Sequence, residues 1–143
     1  MHLWATRKLA DEIVVGAVKV RRHCRDPLAA VLATVTFNQL EAGKGIEVAV
    51  ACDAASADHC THLTEHDIEL LAGSNTVATL LPGAEFSTRA QYPDARRLLS
   101  AGATVALATD CNPGSSYTTS MPFCIAVAVC STKNGAAFFA GNF

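Results

Sequence analysis

This sequence predicts an α/β fold built on a parallel sheet, on three observations. Two short runs, Thr76–Leu81 and Thr104–Thr109, are almost wholly apolar or β-branched, as strands buried on both faces are. Segments with helical caps and helical length separate them. Polar residues gather directly after each strand-like run: Asp58-His59, then Pro82-Gly-Ala-Glu85, then Asp110-Cys-Asn-Pro-Gly114. In parallel α/β folds that carboxyl edge is where sites are built. With 143 residues, half of them hydrophobic, the chain fits one domain with a buried core.

Taken in order, Leu9 to Val20 reads as an amphipathic helix, and Arg21-Arg-His-Cys-Arg25 as a solvated basic patch. Leu28 to Val35 suits a helix or a strand equally. Gly45 to Cys52 suits a helix with one apolar face. Ala54 to Ala57 is a strand of small residues ending at Asp58-His59. Thr64-Glu-His-Asp67 has capping-box spacing and opens a helix that ends at Gly73. Thr76 to Leu81 is a strand stopped by Pro82-Gly83. Pro93 to Ser100 is a helix with proline in its first turn and Gly102 past its end. Thr104 to Thr109 is a second buried strand, and residues 118–130 form an apolar helix. The tail from Ser131 lacks helical periodicity.

Charge and cysteine usage exclude several classes. The net charge of −2 gives no general attraction to nucleic acid or anionic membrane. The first 37 residues carry six Lys/Arg against three Asp/Glu, whereas the rest carry five against ten, so the two parts differ in character. The six cysteines form no C-x-x-C pair, and several lie in apolar runs, which predicts reduced thiols and a cytoplasmic protein. No stretch has the length and apolarity of a membrane span or signal peptide.

The segment best suited to chemistry is Asp110-Cys-Asn-Pro-Gly-Ser-Ser116. An aspartate after a buried strand is held rigidly and can bind a metal or move a proton. Pro113-Gly114 turns the chain, and Ser115-Ser116 is expected to lead into a helix whose free N–H groups favour an anion. An N-capping aspartate in a tight turn explains the same residues without chemistry. His59, after another strand, reads either as a site residue or as a core histidine bonded to backbone. Cys60, His62 and His66 suggest a small zinc module, against which Thr64 stands as a helix cap between the two histidines.

Four ordered pieces carry a resemblance: Asn38-Gln-Leu40, Ala55-Ser-Ala-Asp-His59, Thr76-Val-Ala-Thr-Leu-Leu-Pro-Gly83 and Ala108-Thr-Asp-Cys-Asn-Pro-Gly-Ser115. Together they resemble the C-terminal part of imidazolonepropionase, a metal-dependent amidohydrolase of histidine degradation. The resemblance implies a partial (β/α)8 TIM-type barrel, about the last three to four β/α units. Residues 37–130 would form it, between divergent segments 1–36 and 131–143. It implies one zinc or iron ion and a small-molecule substrate, imidazolone-propionate, opened to N-formimino-glutamate. By motif match Asp110 would be metal ligand and proton acceptor. His59 would face the substrate and stabilise developing charge. Gln39 would contact the substrate, and Asn112, Gly114 and Ser115 would hold its carboxylate.

The sequence also departs from that pattern. Thr36 stands where the family has a histidine ligand, and no His-x-His pair occurs anywhere. A complete barrel takes about 250 residues, so this chain supplies three or four strands of eight. An open half-barrel exposes strand edges and apolar surface, which predicts self-association. Two functions follow as expectations: a hydrolase of this type, or a catalytically inactive remnant of it that associates with itself or a partner.

Overall fold

The structure, a computed structural model, describes residues 17–21, 32–37 and 43–131, the first two segments as backbone alone. Five strands make one sheet in sequence order: β1 (Ala17–Arg21), β2 (Leu32–Phe37), β3 (Ser56–His59), β4 (Val77–Leu80) and β5 (Val105–Leu107). β1 pairs antiparallel with β2. From β2 onward the pairing is parallel, with Phe37 opposite His59, Asp58 opposite Thr79 and Leu80 opposite Leu107. Parallel neighbours need a crossover, and helices supply it. They are α1 (Gly45–Ala51), α2 (Glu65–Ala72), α3 (Pro82–Thr88) and α4 (Ala95–Ser100); α5 (Met121–Ser131) follows β5. The mixed α/β architecture with a parallel sheet is therefore as the sequence predicts.

The core lies between the sheet and the first helices. Ile46 and Ala49 of α1 and Ile68 and Leu71 of α2, each pair three residues apart on one helical face, are buried. They meet Ala57 of β3 and Ala78 and Leu80 of β4. Leu98 of α4, fully buried, extends this cluster. Along β3 and β4 buried residues alternate with half-buried ones. The sheet is thus closed tightly on one face, whereas the sequence predicts cover on both. Ser56, Asp58 and Thr79 lie at the half-covered positions, and all three residues of β5 are half-buried.

Several sequence expectations need correction. Ala17–Arg21 is a strand, not the end of a helix; the apolar–polar alternation of Val18-Lys-Val-Arg21 has the period of a strand. The remainder of Leu9–Val20 and Arg22 to Arg25 lie outside the described residues. The open alternative for Leu28–Val35 settles as strand over Leu32–Phe37. Pro82-Gly83 does not merely stop β4 but opens α3, because proline at the first helical position loses no hydrogen bond. Pro93 lies outside α4: Asp94 is its N-cap and accepts from the Arg97 N–H at 3.2 Å. The last helix starts at Met121, three residues later than predicted. The capping box at Thr64 and Asp67 forms as expected. No helix among the described residues is long and apolar enough to cross a membrane.

Candidate active site at the carboxyl edge of the sheet

Three successive strand-to-helix connections converge at one end of the sheet. His59 closes β3 and is 4% exposed. Its Nε2 lies 4.0 Å from Asp110 Oδ2, in the turn after β5. Its Nδ1 lies 3.8 Å from Glu85 Oε1, in the first turn of α3 after β4. The imidazole thus lies between two carboxylates from different elements. Glu85 is buried, and its Oε1 accepts from the Thr61 hydroxyl at 3.1 Å. Asp110 keeps 28% of its side chain exposed, so it is the open member of the group.

The backbone here is bent out of ordinary geometry. His59, Cys60 and Asp110 have φ of 71°, 53° and 51°, a region that costs most side chains free energy. Such outliers cluster at functional sites, where surrounding structure holds them. At Asp110 the restraint is visible. Its Oδ2 accepts from Asn112 Nδ2 at 2.9 Å and from the Ser115 hydroxyl at 3.4 Å. Asn112 Nδ2 also donates to the Asp110 carbonyl at 2.6 Å. Gly83 permits the close approach of α3 to this turn: a Cβ there would lie 2.8 Å from Ser116 Oγ, which itself donates to the Thr109 carbonyl at 2.7 Å.

The anion-binding helix start expected at Ser115-Ser116 does not form. Asn112 and Ser116 instead make an antiparallel bridge, and chain without regular secondary structure follows to Ser120. The N–H groups of Gly114 and Ser115 are not free either. Both donate to Asn112 Oδ1, at 2.7 and 2.8 Å, the hydrogen bonds of an Asx-type turn.

His59 and Asp110 are thus brought together, with Asn112, Gly114 and Ser115 around the aspartate. Gln39 lies outside the described residues. The zinc module does not assemble: His62 precedes the Thr64 cap and His66 follows it inside α2. No group of three or more His, Cys, Asp or Glu suited to a metal occurs among the described residues. A catalytic metal takes about three protein ligands, and the His59–Asp110 pair offers two donors. The described residues therefore do not by themselves fit the zinc or iron that the resemblance implies. Glu85 and Thr61 are the members that sequence reasoning missed. Glu85 was visible only as one polar residue after a strand, because its partner is 26 positions away and only the fold joins them.

Cys60, beside this site, is buried and its thiol donates to the Ala57 carbonyl at 3.2 Å. Burial above all, then the negative charges of Asp58, Asp67 and Glu85, pushes this thiol up to about 12. It is built to stay neutral, whereas Cys52, Cys111 and Cys130 differ from it in being exposed. No disulfide joins the described cysteines.

No protein-family model matches the chain. Individual relatives do. The imidazolonepropionase of Streptomyces coelicolor is 75% identical over 92 residues, 64% of this chain and 24% of that protein. That of Streptomyces avermitilis is 73% identical over 95 residues, 66% of this chain and 23% of its own length. That of Mycolicibacterium smegmatis is also 73% identical over 95 residues, 66% of this chain and 24% of that protein. The chain spans about a quarter of the length of the curated relatives it matches. Over about two thirds of its own length, this chain is closely similar to part of an imidazolonepropionase.

Proposed function

We propose that this chain carries part of the active site of an imidazolonepropionase-type hydrolase, the enzyme class that opens imidazolone-propionate to N-formimino-glutamate in histidine degradation. The observation that carries this reading is the pairing of His59 with Asp110 across two strand ends, in a chain about three-quarters identical to those enzymes over 92 residues. The sheet from β2 to β5 would be three to four units of a (β/α)8 barrel, within residues 37–130, with residues 1–36 and 131–143 outside it.

Opening a cyclic amide requires water to lose a proton as it adds to the carbonyl, and the departing ring nitrogen to gain one. Asp110 would accept that proton; its partial exposure and its hydrogen bonds from Asn112 and Ser115 support this role. His59 would face the carbonyl oxygen and stabilise charge developing there. The substrate's carboxylate would replace Asn112 Oδ1 as acceptor for the Gly114 and Ser115 N–H groups. Gln39 would supply a further substrate contact. No step is assigned to a metal, because His59 and Asp110 are two donors only.

A second reading is a non-catalytic relative of that enzyme. The short donor set among the described residues and Thr36 in place of a histidine favour it. One experiment separates the two. The purified chain is supplied with zinc or iron, and bound metal and imidazolone-propionate hydrolysis are measured. Metal near one equivalent, with turnover lost at least a hundredfold in Asp110→Asn, establishes the hydrolase. Folded, soluble protein with neither metal nor turnover establishes the non-catalytic relative.

A further inference from the structure

His59 has two ring nitrogens with different surroundings. Nε2 faces Asp110, the open carboxylate of the site, at 4.0 Å. Nδ1 faces the buried side, and it is a buried polar atom without a hydrogen-bond partner. The nearest charged group on that side is Glu85, 3.8 Å away through Oε1. Glu85 has an orphan of its own: Oε2 is buried and unpartnered. The ring and the carboxylate, 3.8 Å apart at their nearest atoms and each with one buried atom left unsatisfied, are each other's natural partners. A small rotation of the carboxylate, or one buried water that accepts from the ring and donates to the carboxylate, completes the pair.

Glu85 is also fixed in place. The Thr61 hydroxyl anchors Oε1 at 3.1 Å, and α3 starts on Pro82, whose ring sets the backbone of the first turn. At 2% exposure Glu85 has no route to a substrate, so its influence must pass through the imidazole. A carboxylate accepts only. Asp110 also only accepts, but its Oδ2 already takes hydrogen bonds from Asn112 Nδ2 and the Ser115 hydroxyl, whereas Glu85 Oε2 has no donor, so the unmet demand for hydrogen lies on the Nδ1 side.

We propose that Glu85 is a positioning residue that keeps the proton of His59 on Nδ1 and so fixes the ring with Nε2 toward Asp110 and the open side of the site. The functional meaning of this arrangement rests on the hydrolase reading, whereas the tautomer itself does not. A histidine's orientation and tautomer follow from the bond its far nitrogen makes, and here Glu85 sets them.

The test is a long-range 1H–15N correlation spectrum of the uniformly 15N-labelled full chain at neutral pH, with His59 assigned by His59→Gln. In the unsubstituted chain Nδ1 of His59 is expected to resonate as a protonated nitrogen. Glu85→Leu, which removes the acceptor at similar volume, moves the proton to Nε2. Glu85→Gln, whose amide oxygen still accepts, retains it on Nδ1. A chain whose His59 has an unprotonated Nδ1, or averages the two tautomers as a free histidine does, overturns the proposal without any variant. So does a folded Glu85→Leu chain with the proton still on Nδ1, since a residue that only fills space would leave the tautomer alone. Absence of hydrolysis in a chain with the Nδ1 proton would count against the hydrolase reading only.

Discussion

Cys60 shows how far one side chain is governed by its surroundings. Burial pushes its thiol up to about 12 and shields it, so alkylation at pH 8 is expected to modify the exposed Cys52, Cys111 and Cys130 well before Cys60, as peptide mass spectrometry would read. Equal labelling of Cys60 in folded protein would contradict its burial. The same shift has a consequence for stability. The folded chain holds the Cys60 proton between the ordinary thiol value near 9 and about 12, whereas the unfolded chain has released it. Stability therefore falls as pH rises through that window, by up to about 1.4 kcal/mol per pH unit. Urea titrations at pH 8 and pH 10.5 should show this slope in the unsubstituted chain and a shallower one in Cys60→Ala. Gly83 is the second sensitive residue. Alanine there would gain up to about 1 kcal/mol in helix propensity but press on Ser116 Oγ, which is held by the Thr109 carbonyl. Overpacking costs about 1–3 kcal/mol, so Gly83→Ala should lower stability by roughly 1 kcal/mol net. Combination with Ser116→Ala should recover part of the loss. Additive effects in that double-mutant cycle would show that the two positions do not touch.

Among the elements, α2 was the most legible. Thr64 accepts from the Asp67 N–H at 3.2 Å, and Asp67 Oδ2 accepts from the Thr64 N–H at 2.8 Å. Both bonds are local, so four consecutive residues suffice to encode them. Thr64→Ala should destabilise the chain by about 1 kcal/mol, seen as a lower urea midpoint, and an unchanged midpoint would show the cap to be redundant. Helix α3 was hidden because Pro-Gly reads as a stop in isolation, and only the packing of Gly83 against Ser116 and Cys124 shows why glycine follows the proline. The Asp110 turn was legible in position but not in conformation. Its serines read as a helix start, yet Asn112 Oδ1 takes the N–H groups of Gly114 and Ser115, and no helix follows before Met121. His59 and Asp110 were each legible as strand-end residues, whereas the Glu85 contact joins residues 26 apart and has no local signature.

At the level of the whole molecule, the sheet and α5 leave surface that a closed fold would cover. β5 ends the sheet, so its outer edge has no strand partner among the described residues. In α5 only Cys124 and Ala128 are buried, although nearly every residue of Met121–Cys130 is apolar. Pro122, Ala126 and Cys130 form an exposed row at four-residue spacing. Exposed edges and apolar rows favour association. Sedimentation velocity should therefore find species heavier than the 15.0 kDa chain, growing with concentration. The double substitution Ala126→Glu, Cys130→Glu should shift the distribution toward monomer. A single 15.0 kDa species at every concentration would show that these surfaces are inert.

The consecutive left-handed residues where β3 ends, His59 and Cys60, constrain what can replace them. A saturation library at position 60, selected only for folded protein, would ordinarily be expected to favour valine or isoleucine in so apolar a setting. With φ at 53° the backbone works against β-branched residues. Glycine and asparagine, poor core residues on hydrophobicity alone, should be recovered ahead of them. Tolerance at this position is set by a dihedral angle, and the surviving substitutions would report that angle more directly than they report the chemistry of the site beside it.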